Sequence, residues 1–349
     1  MGNTDFRQKI VHIELLRIIS ILMVMFMHSG TRGHDVYRFT DGRVTFTTSV
    51  MLASLCEVGV TIFWMISGAV LLGKKESASD CYKKRLPRII FILVLFSLIR
   101  YFYNYFAGLS DALSITDFLK KLYSDSVFMP YWFLYYYVGV ILLLPFLRIL
   151  ISNMNRGMWT LFIALAAVFL CVIPVINVLL ERQLEVPFLF TETVTALMLG
   201  YAAENVLQKE WLSKKSVIAM FCLFAIAIVT IESLLTVSAI RASSDATFFD
   251  LLGIPLAFCI FAAFRGIALN IKSGNPFFEK AVIFLGSCTF GVYLLEDYSR
   301  NLLSFICDML ADKLTLIPAC LIWLVCSYLL TVIVVAIIKK TPILRKIGV

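Results

Sequence analysis

Long apolar stretches, separated by shorter polar segments rich in positive charge, run the whole length of the chain. They fall at Ile13–Ser29, Val50–Leu72, Ile89–Ala107, Pro130–Ile151, Met158–Leu180, Phe188–Leu207, Ser216–Leu235, Thr247–Arg265, Phe278–Glu296 and Leu314–Ile338. Each approaches the roughly 20 apolar residues that an α-helix needs to cross the hydrocarbon core of a bilayer. The pattern predicts an all-α, polytopic membrane bundle of about ten transmembrane helices, with room for an extra half-helix before Leu314. Two connections, Gly30–Ser49 and Gly108–Met129, are longer. In the second, Ser114 to Leu122 alternates apolar and polar residues at helical spacing, which predicts a short helix lying flat at the membrane surface. No fixed-period repeat, low-complexity tract or long linker divides the sequence, so a single transmembrane domain is expected over residues 1–349, with no fused soluble domain.

Composition agrees with that pattern. Of 349 residues, 60% are hydrophobic and only 15% charged, and a mean hydropathy of +0.90 lies far from soluble domains. Arg7 and Lys9 precede the first apolar stretch, and no small-residue cleavage pattern follows it, so it reads as a retained helix and not a signal peptide. With a cytoplasmic N-terminus, most of the 31 Lys and Arg residues fall in inner loops and tails, among them Lys74, Lys75, Lys83, Lys84, Arg85, Arg88, Lys272, Arg345 and Lys346. The positive-inside rule therefore predicts both termini in the cytoplasm of a multi-pass cell-membrane protein. The net charge of +8 is scattered over membrane-proximal loops, which suits anionic lipid headgroups and gives no basic domain for nucleic acid. The nine cysteines lie mostly in apolar spans, without a C-x-x-C spacing or a histidine at metal-ligand spacing, so packing is expected and neither a disulfide framework nor a metal.

Chemistry is sought where an ionisable group sits inside an apolar stretch, because such a group costs on the order of 3 kcal/mol near a bilayer centre. Arg17 and His28 share the first stretch, with ten residues between them. Eleven steps of about 100° bring both side chains to one helix face, about 16 Å apart along the axis. Glu14, three residues before Arg17, can pair with it and lower the cost of both. That leaves His28, a side chain suited to proton transfer near neutral pH or to carrying an acyl group; a hydrogen bond across helices is the blander reading. Other polar groups in the stretches are Glu57, Arg100, Asn104, Glu192, Glu232, Glu296 and Asp297, of which Glu57 and Glu192 look the most buried. The cluster Lys83-Lys84-Arg85-Leu86-Pro87-Arg88 is first of all a topology determinant, although Arg85 and Arg88 can also grip phosphate oxygens. The sequence contains no Gly-rich phosphate loop, His-Glu-x-x-His or Gly-x-Ser-x-Gly motif.

Five short segments, in order, resemble the acyltransferase-3 family of integral membrane acyltransferases. They are the Arg17-x10-His28 spacing, the apolar run Val60–Gly68 closing in Ser67-Gly68, Arg85-x-x-Arg88, Tyr131-Trp132-Phe-Leu-Tyr135 continuing to Leu144-Pro145-Phe146, and Gly286–Leu295 with Thr289-Phe-Gly-Val-Tyr293 inside it. One position departs: relatives often place a histidine after the late Tyr-Leu, where this chain has Glu296.

The resemblance implies an O-acyltransferase, most often an acetyltransferase, that takes its acyl group from cytoplasmic acyl-coenzyme A. The implied acceptor is a hydroxyl of an extracytoplasmic or lipid-linked glycan. It implies catalytic roles for His28 and Arg17, coenzyme binding by Arg85, Arg88 and Lys84, and support from Glu14, Ser67, Trp132 and Tyr293. A homo-oligomer is compatible with the sequence. The rival reading is a transporter or exporter of a small polar molecule or surface polysaccharide, with Glu14, Arg17, His28, Glu57 and Glu192 along its path; broken helices would favour it, and Pro174 and Pro255 permit them.

Overall fold

The computed structural model describes residues 3–40, 42–109, 113–181, 184, 191–242, 244–271 and 275–341, with side chains from Val11 onward. Arg7, Lys9, Lys272, Arg345, Lys346 and the beginning of the predicted Phe188–Leu207 stretch therefore lie outside the described residues or side chains. In chain order the helices are α1 (Asn3–Met27), α2 (Arg43–Glu57), α3 (Gly59–Leu71), α4 (Ala78–Phe106), α5 (Ile115–Tyr123), α6 (Trp132–Asn153), α7 (Arg156–Ala167), α8 (Ile173–Leu180), α9 (Glu192–Asn205), α10 (Lys209–Leu212), α11 (Lys215–Arg241), α12 (Gly253–Asn270), α13 (Pro276–Leu302), α14 (Ser304–Ala311) and α15 (Leu316–Ile338). Among the described residues there is no strand. Among the described residues, eight helical segments are long and apolar enough to cross a membrane: α2 with α3, α4, Met129–Asn153, Arg156–Leu180, α11, α12, α13 and α15. These are eight of the ten predicted stretches; the other two hold the 25-residue α1 and the 14-residue α9.

Local chemistry explains several boundaries. Ser77 caps α4 by accepting the Asp80 amide, and Ser114 does the same for Asp117 at the start of α5, the short helix expected in the second long connection. The half-helix expected before Leu314 is α14. Gly30–Ser49 is less loop-like than expected: 3-10 turns occupy Gly30–Arg32 and His34–Arg38, and α2 has begun by Arg43. Pro174 does not break its span. A π-helical turn over Val168–Val172 joins α7 to α8 and absorbs the amide that proline lacks. Pro255 sits in the first turn of α12, where the missing donor costs nothing.

The chain divides into two compact units, one of Met1–Leu71 with Met154–Ile338, the other centred on Leu72–Asn153. In the first, α1 lies against α3, α12 and α13, α3 against α9, and α13 against α15. The α3–α9 crossing is backbone to backbone. A Cβ on Gly68 would run into the Leu197 carbonyl, and one on Gly200 into the Met65 carbonyl, so glycine at both positions is what lets the helices touch. Gly68 is the glycine that closes the Ser-Gly run. In the second unit α4 packs against α6, and α5 covers Tyr101 through Phe118.

Candidate active site

The first unit holds the chemistry-bearing groups of α1 on a frame made by α13 and α15. Near the N-terminal end of that frame, Arg17 donates through Nη1 to Glu14 Oε1 at 2.6 Å, the pair expected from their spacing. The Glu14 side chain lies over Gly286 of α13, where a Cβ would sit 2.6 Å from Glu14 Cβ. Gly286, which opens the last family-like segment, is thus the gap that admits a carboxylate between two helices.

α1 ends at Met27, so His28 stands one residue past the regular helix, its amide still donating to Val24 O at 3.0 Å. Its Nδ1 lies 2.8 Å from Oε1 of Glu296 on α13. Glu296 is only 2% exposed and is held from its other side by Arg300 Nε, one turn further along. Held by the Arg300 guanidinium, the Glu296 carboxylate is placed to accept, and the neutral imidazole tautomer that suits this contact carries its proton on Nδ1 and its lone pair on Nε2. The Arg300 guanidinium also donates to the His28 carbonyl at 2.5 Å and to Asp297 Oδ1 at 3.1 Å. It therefore caps the end of α1 and fixes the histidine's carboxylate partner at once. Bracing comes from α15: Trp323 Nε1 donates to Arg300 O at 3.1 Å, and Ser299 shares a hydrogen bond with Thr331 at 2.5 Å. The His28 side chain remains 23% exposed.

Two members of this site are not assigned a role from sequence. Glu296 stands there among the polar groups of the apolar stretches and as the departure from the family's histidine, and Arg300 is not singled out. Their i, i+4 spacing in a late apolar stretch is the signal that connects them. A second buried group has no signal in the sequence: His12 Nε2 lies 3.1 Å from Glu204 Oε2, which Arg265 Nε approaches to 3.0 Å, with all three almost fully buried. It ties α1 to α9 and α12. The carboxylates expected to be deepest are corrected. Glu57 keeps 29% of its side chain exposed and Glu192 is exposed, whereas Glu204, Glu232 and Glu296 are buried. Glu232 is satisfied by Ser54 Oγ at 2.6 Å and the Leu252 amide at 2.8 Å.

Beside the α1 terminus, His34 lies in the second 3-10 turn, its amide donating to Ser29 Oγ at 2.9 Å. Nδ1 is 3.0 Å from Asp35 and Nε2 is 3.4 Å from Glu57. Burial works against its charge, but the two carboxylates prevail and raise its pKa above that of a free histidine. Of the supporting candidates, Ser67 on α3 is half-buried, and so is Tyr293 on α13, whose ring stacks on Phe290.

The remaining predicted residues belong to the second unit. Arg85 and Arg88 share one face near the start of α4, with Lys84 exposed beside them and 3.3 Å from Asp80. Arg85 donates to Glu76 Oε2 from Nε and Nη2, at 3.2 and 3.0 Å. Trp132 opens α6 with its ring edge-on to Phe133 and Tyr136. Among the described residues no group of three or more His, Cys, Asp or Glu side chains is arranged to hold a metal.

An acyltransferase domain matches the chain over residues 10–340. No curated protein and no solved structure matches it. The match covers nearly the whole sequence and takes in the ordered segments from Arg17 to Tyr293, on a helical frame with eight candidate spans; this chain is a membrane acyltransferase and belongs to the acyltransferase-3 family.

Proposed function

We propose that the protein is an O-acyltransferase that moves an acyl group, in the simplest case acetyl, from cytoplasmic acyl-coenzyme A to a hydroxyl of an extracytoplasmic or lipid-linked glycan. The observation that carries this reading is the His28–Glu296–Arg300 array. A hydroxyl is a weak nucleophile until a base takes its proton, and His28 Nε2 is a base whose tautomer and direction are set by a buried carboxylate. As the acceptor proton passes to Nε2, the oxygen forms a C–O bond with the thioester carbonyl carbon. The C–S bond then breaks, and the proton returns from His28 to the leaving thiolate. The products are the ester and coenzyme A thiol, with His28 restored. Glu296 stabilises the transient imidazolium, and Arg300 holds Glu296 in place.

The carbonyl oxygen gathers negative charge on the way and needs fixed donors in a dry bundle. Ser67 and Tyr293 are assigned that part, and Arg17 orients the donor. Arg85, Arg88 and Lys84 suit the phosphates of the coenzyme, because paired guanidiniums on one helix face match phosphate oxygens. With the N-terminus inside, as the Lys and Arg distribution favours, these three and Arg17 stand toward the donor side and His28 toward the acceptor side.

Purified protein supplied with labelled acetyl-coenzyme A and a glycan acceptor should form labelled ester, and His28→Ala should abolish it while the fold persists. Substrate flux into liposomes without coenzyme A, with no ester formed, would replace this reading by transport.

A further inference from the structure

The Arg85–Glu76 contact is not a simple pair. Glu76 Oε2 also receives Arg148 Nη2 at 3.1 Å, from the far end of α6. Two guanidiniums on two antiparallel helices therefore converge on a single carboxylate oxygen. All three side chains are well covered, with 25% of Arg85, 10% of Arg148 and 15% of Glu76 exposed. Glu76 lies in the short connection just before Ser77, the cap of α4, so the carboxylate is carried by a loop and the guanidiniums by helices. Three guanidinium nitrogens from two helices thus meet at one carboxylate oxygen, and donors converging from two directions are what a phosphate oxygen takes.

We propose that Arg148 is a third cation of the coenzyme phosphate site and that Glu76 is a built-in anion which the incoming phosphate displaces. The inference rests on the reading of Arg85 and Arg88 as the coenzyme site and adds to it a residue from a different helix and a competitor. The carboxylate keeps the two guanidiniums aligned and their charge compensated while the site is empty of phosphate, so binding exchanges one anion for another without rebuilding the arginine fork. The ligand is a phosphate monoester or diphosphate. Coenzyme A and an anionic lipid headgroup both offer that chemistry, and we assign coenzyme A.

The test is calorimetric titration of coenzyme A into the full chain in phosphatidylcholine nanodiscs, comparing wild type with E76Q, E76A and R148A. Removing the competing anion should tighten binding about three- to tenfold in E76Q, and in E76A if the amide disturbs the loop, whereas R148A should weaken it about tenfold. A structural staple predicts the opposite for Glu76, because its loss would loosen the arginines. Unchanged or weaker binding in both Glu76 variants overturns the proposal, as does wild-type affinity in R148A. Altered retention of phosphatidylglycerol with coenzyme A affinity unchanged also overturns it, in favour of a headgroup site. The double variant R85A/R88A separates the two levels: normal affinity there removes the coenzyme site itself, while weakened affinity with silent Glu76 and Arg148 variants removes only this addition.

Discussion

Glu296→Gln isolates the carboxylate's effect on His28 with almost no change of shape. In the wild type Oε2 takes Arg300 Nε and Oε1 takes His28 Nδ1 at 2.8 Å. Glutamine offers only one acceptor oxygen, and the buried guanidinium claims it, since an amide NH2 turned toward Arg300 Nε would set donor against donor. The NH2 then faces His28 and donates to Nδ1, which drives the imidazole proton to Nε2. A base with its proton on the wrong nitrogen cannot accept another. The loss should match that of a positioned general base, about 10²- to 10⁴-fold in kcat, or roughly 3 to 5 kcal/mol at 1.36 kcal/mol per tenfold. Asp297 and the His28 carbonyl still hold Arg300, so the fold should survive with a modest fall in thermal midpoint. The assay is steady-state ester formation by purified protein at saturating acyl donor, with KM for the donor expected to stay within about threefold because only the transition state uses the base. Adding H28A to E296Q should cost nothing further, since the two act as one device. Activity within threefold of wild type in a protein of normal thermal stability, or additive losses in the double variant, would refute the assignment.

Gly68→Ala should destabilise the protein by about 1 to 3 kcal/mol or more, because the new methyl must displace the Leu197 carbonyl across the α3–α9 crossing; a thermal midpoint unchanged in detergent would contradict the contact. At the 3-10 turn, the raised pKa of His34 means that its stabilising effect is complete below about pH 6.5, the free-histidine value, and is lost as pH rises through the higher folded value. Hydrogen exchange over residues 33–40 should therefore quicken, beyond its intrinsic base catalysis, between neutral and mildly alkaline pH in the wild type and not in His34→Gln. Equal pH profiles in the two proteins would exclude the histidine as the cause. Glu76 has the reverse sign: partial burial pulls its pKa up, but hydrogen bonds from Arg85 and Arg148 outweigh this and hold it below the usual carboxylate value. Its contribution persists above about pH 4.3 and fades as pH falls through the folded value, so R148A should be the less acid-sensitive protein in a light-scattering unfolding assay.

Most of the frame is legible in the sequence because membrane spans obey a length rule that composition alone satisfies. Arg17 and His28 stand out for the same reason, as ionisable groups where lipid would reject them. What composition cannot convey is which helix lies beside which. Glu296 and Arg300 become a device only when α13 runs alongside α1, and nothing in the local pattern of Leu294-Leu295-Glu296-Asp297 distinguishes a catalytic support from a helix end at the headgroups. His12 and Glu204 carry no local signal because each sits close to the edge of an apolar stretch, where a polar residue is common; what joins them is a contact between helices, with Arg265 on a third. Glu192 failed in the other direction. A carboxylate inside a hydrophobic window looks buried, yet it occupies the exposed first turn of α9, where the helix dipole favours it.

The ten-residue interval between Arg17 and His28 acquires a mechanical meaning from the way α13 holds α1 twice, once where Gly286 receives Glu14 and once where Glu296 and Arg300 receive His28. α13 acts as a ruler against which α1 is read. Inserting or deleting one residue between those anchors would turn the imidazole by about 100° and shift it by about 1.5 Å relative to the carboxylate, so both ends could not be seated together. Substitutions to other apolar residues along the same ten positions preserve that phase. The segment should therefore be permissive in identity and intolerant in length, a behaviour that a library of single-residue indels and a library of point variants would display as opposite outcomes on the same stretch of chain.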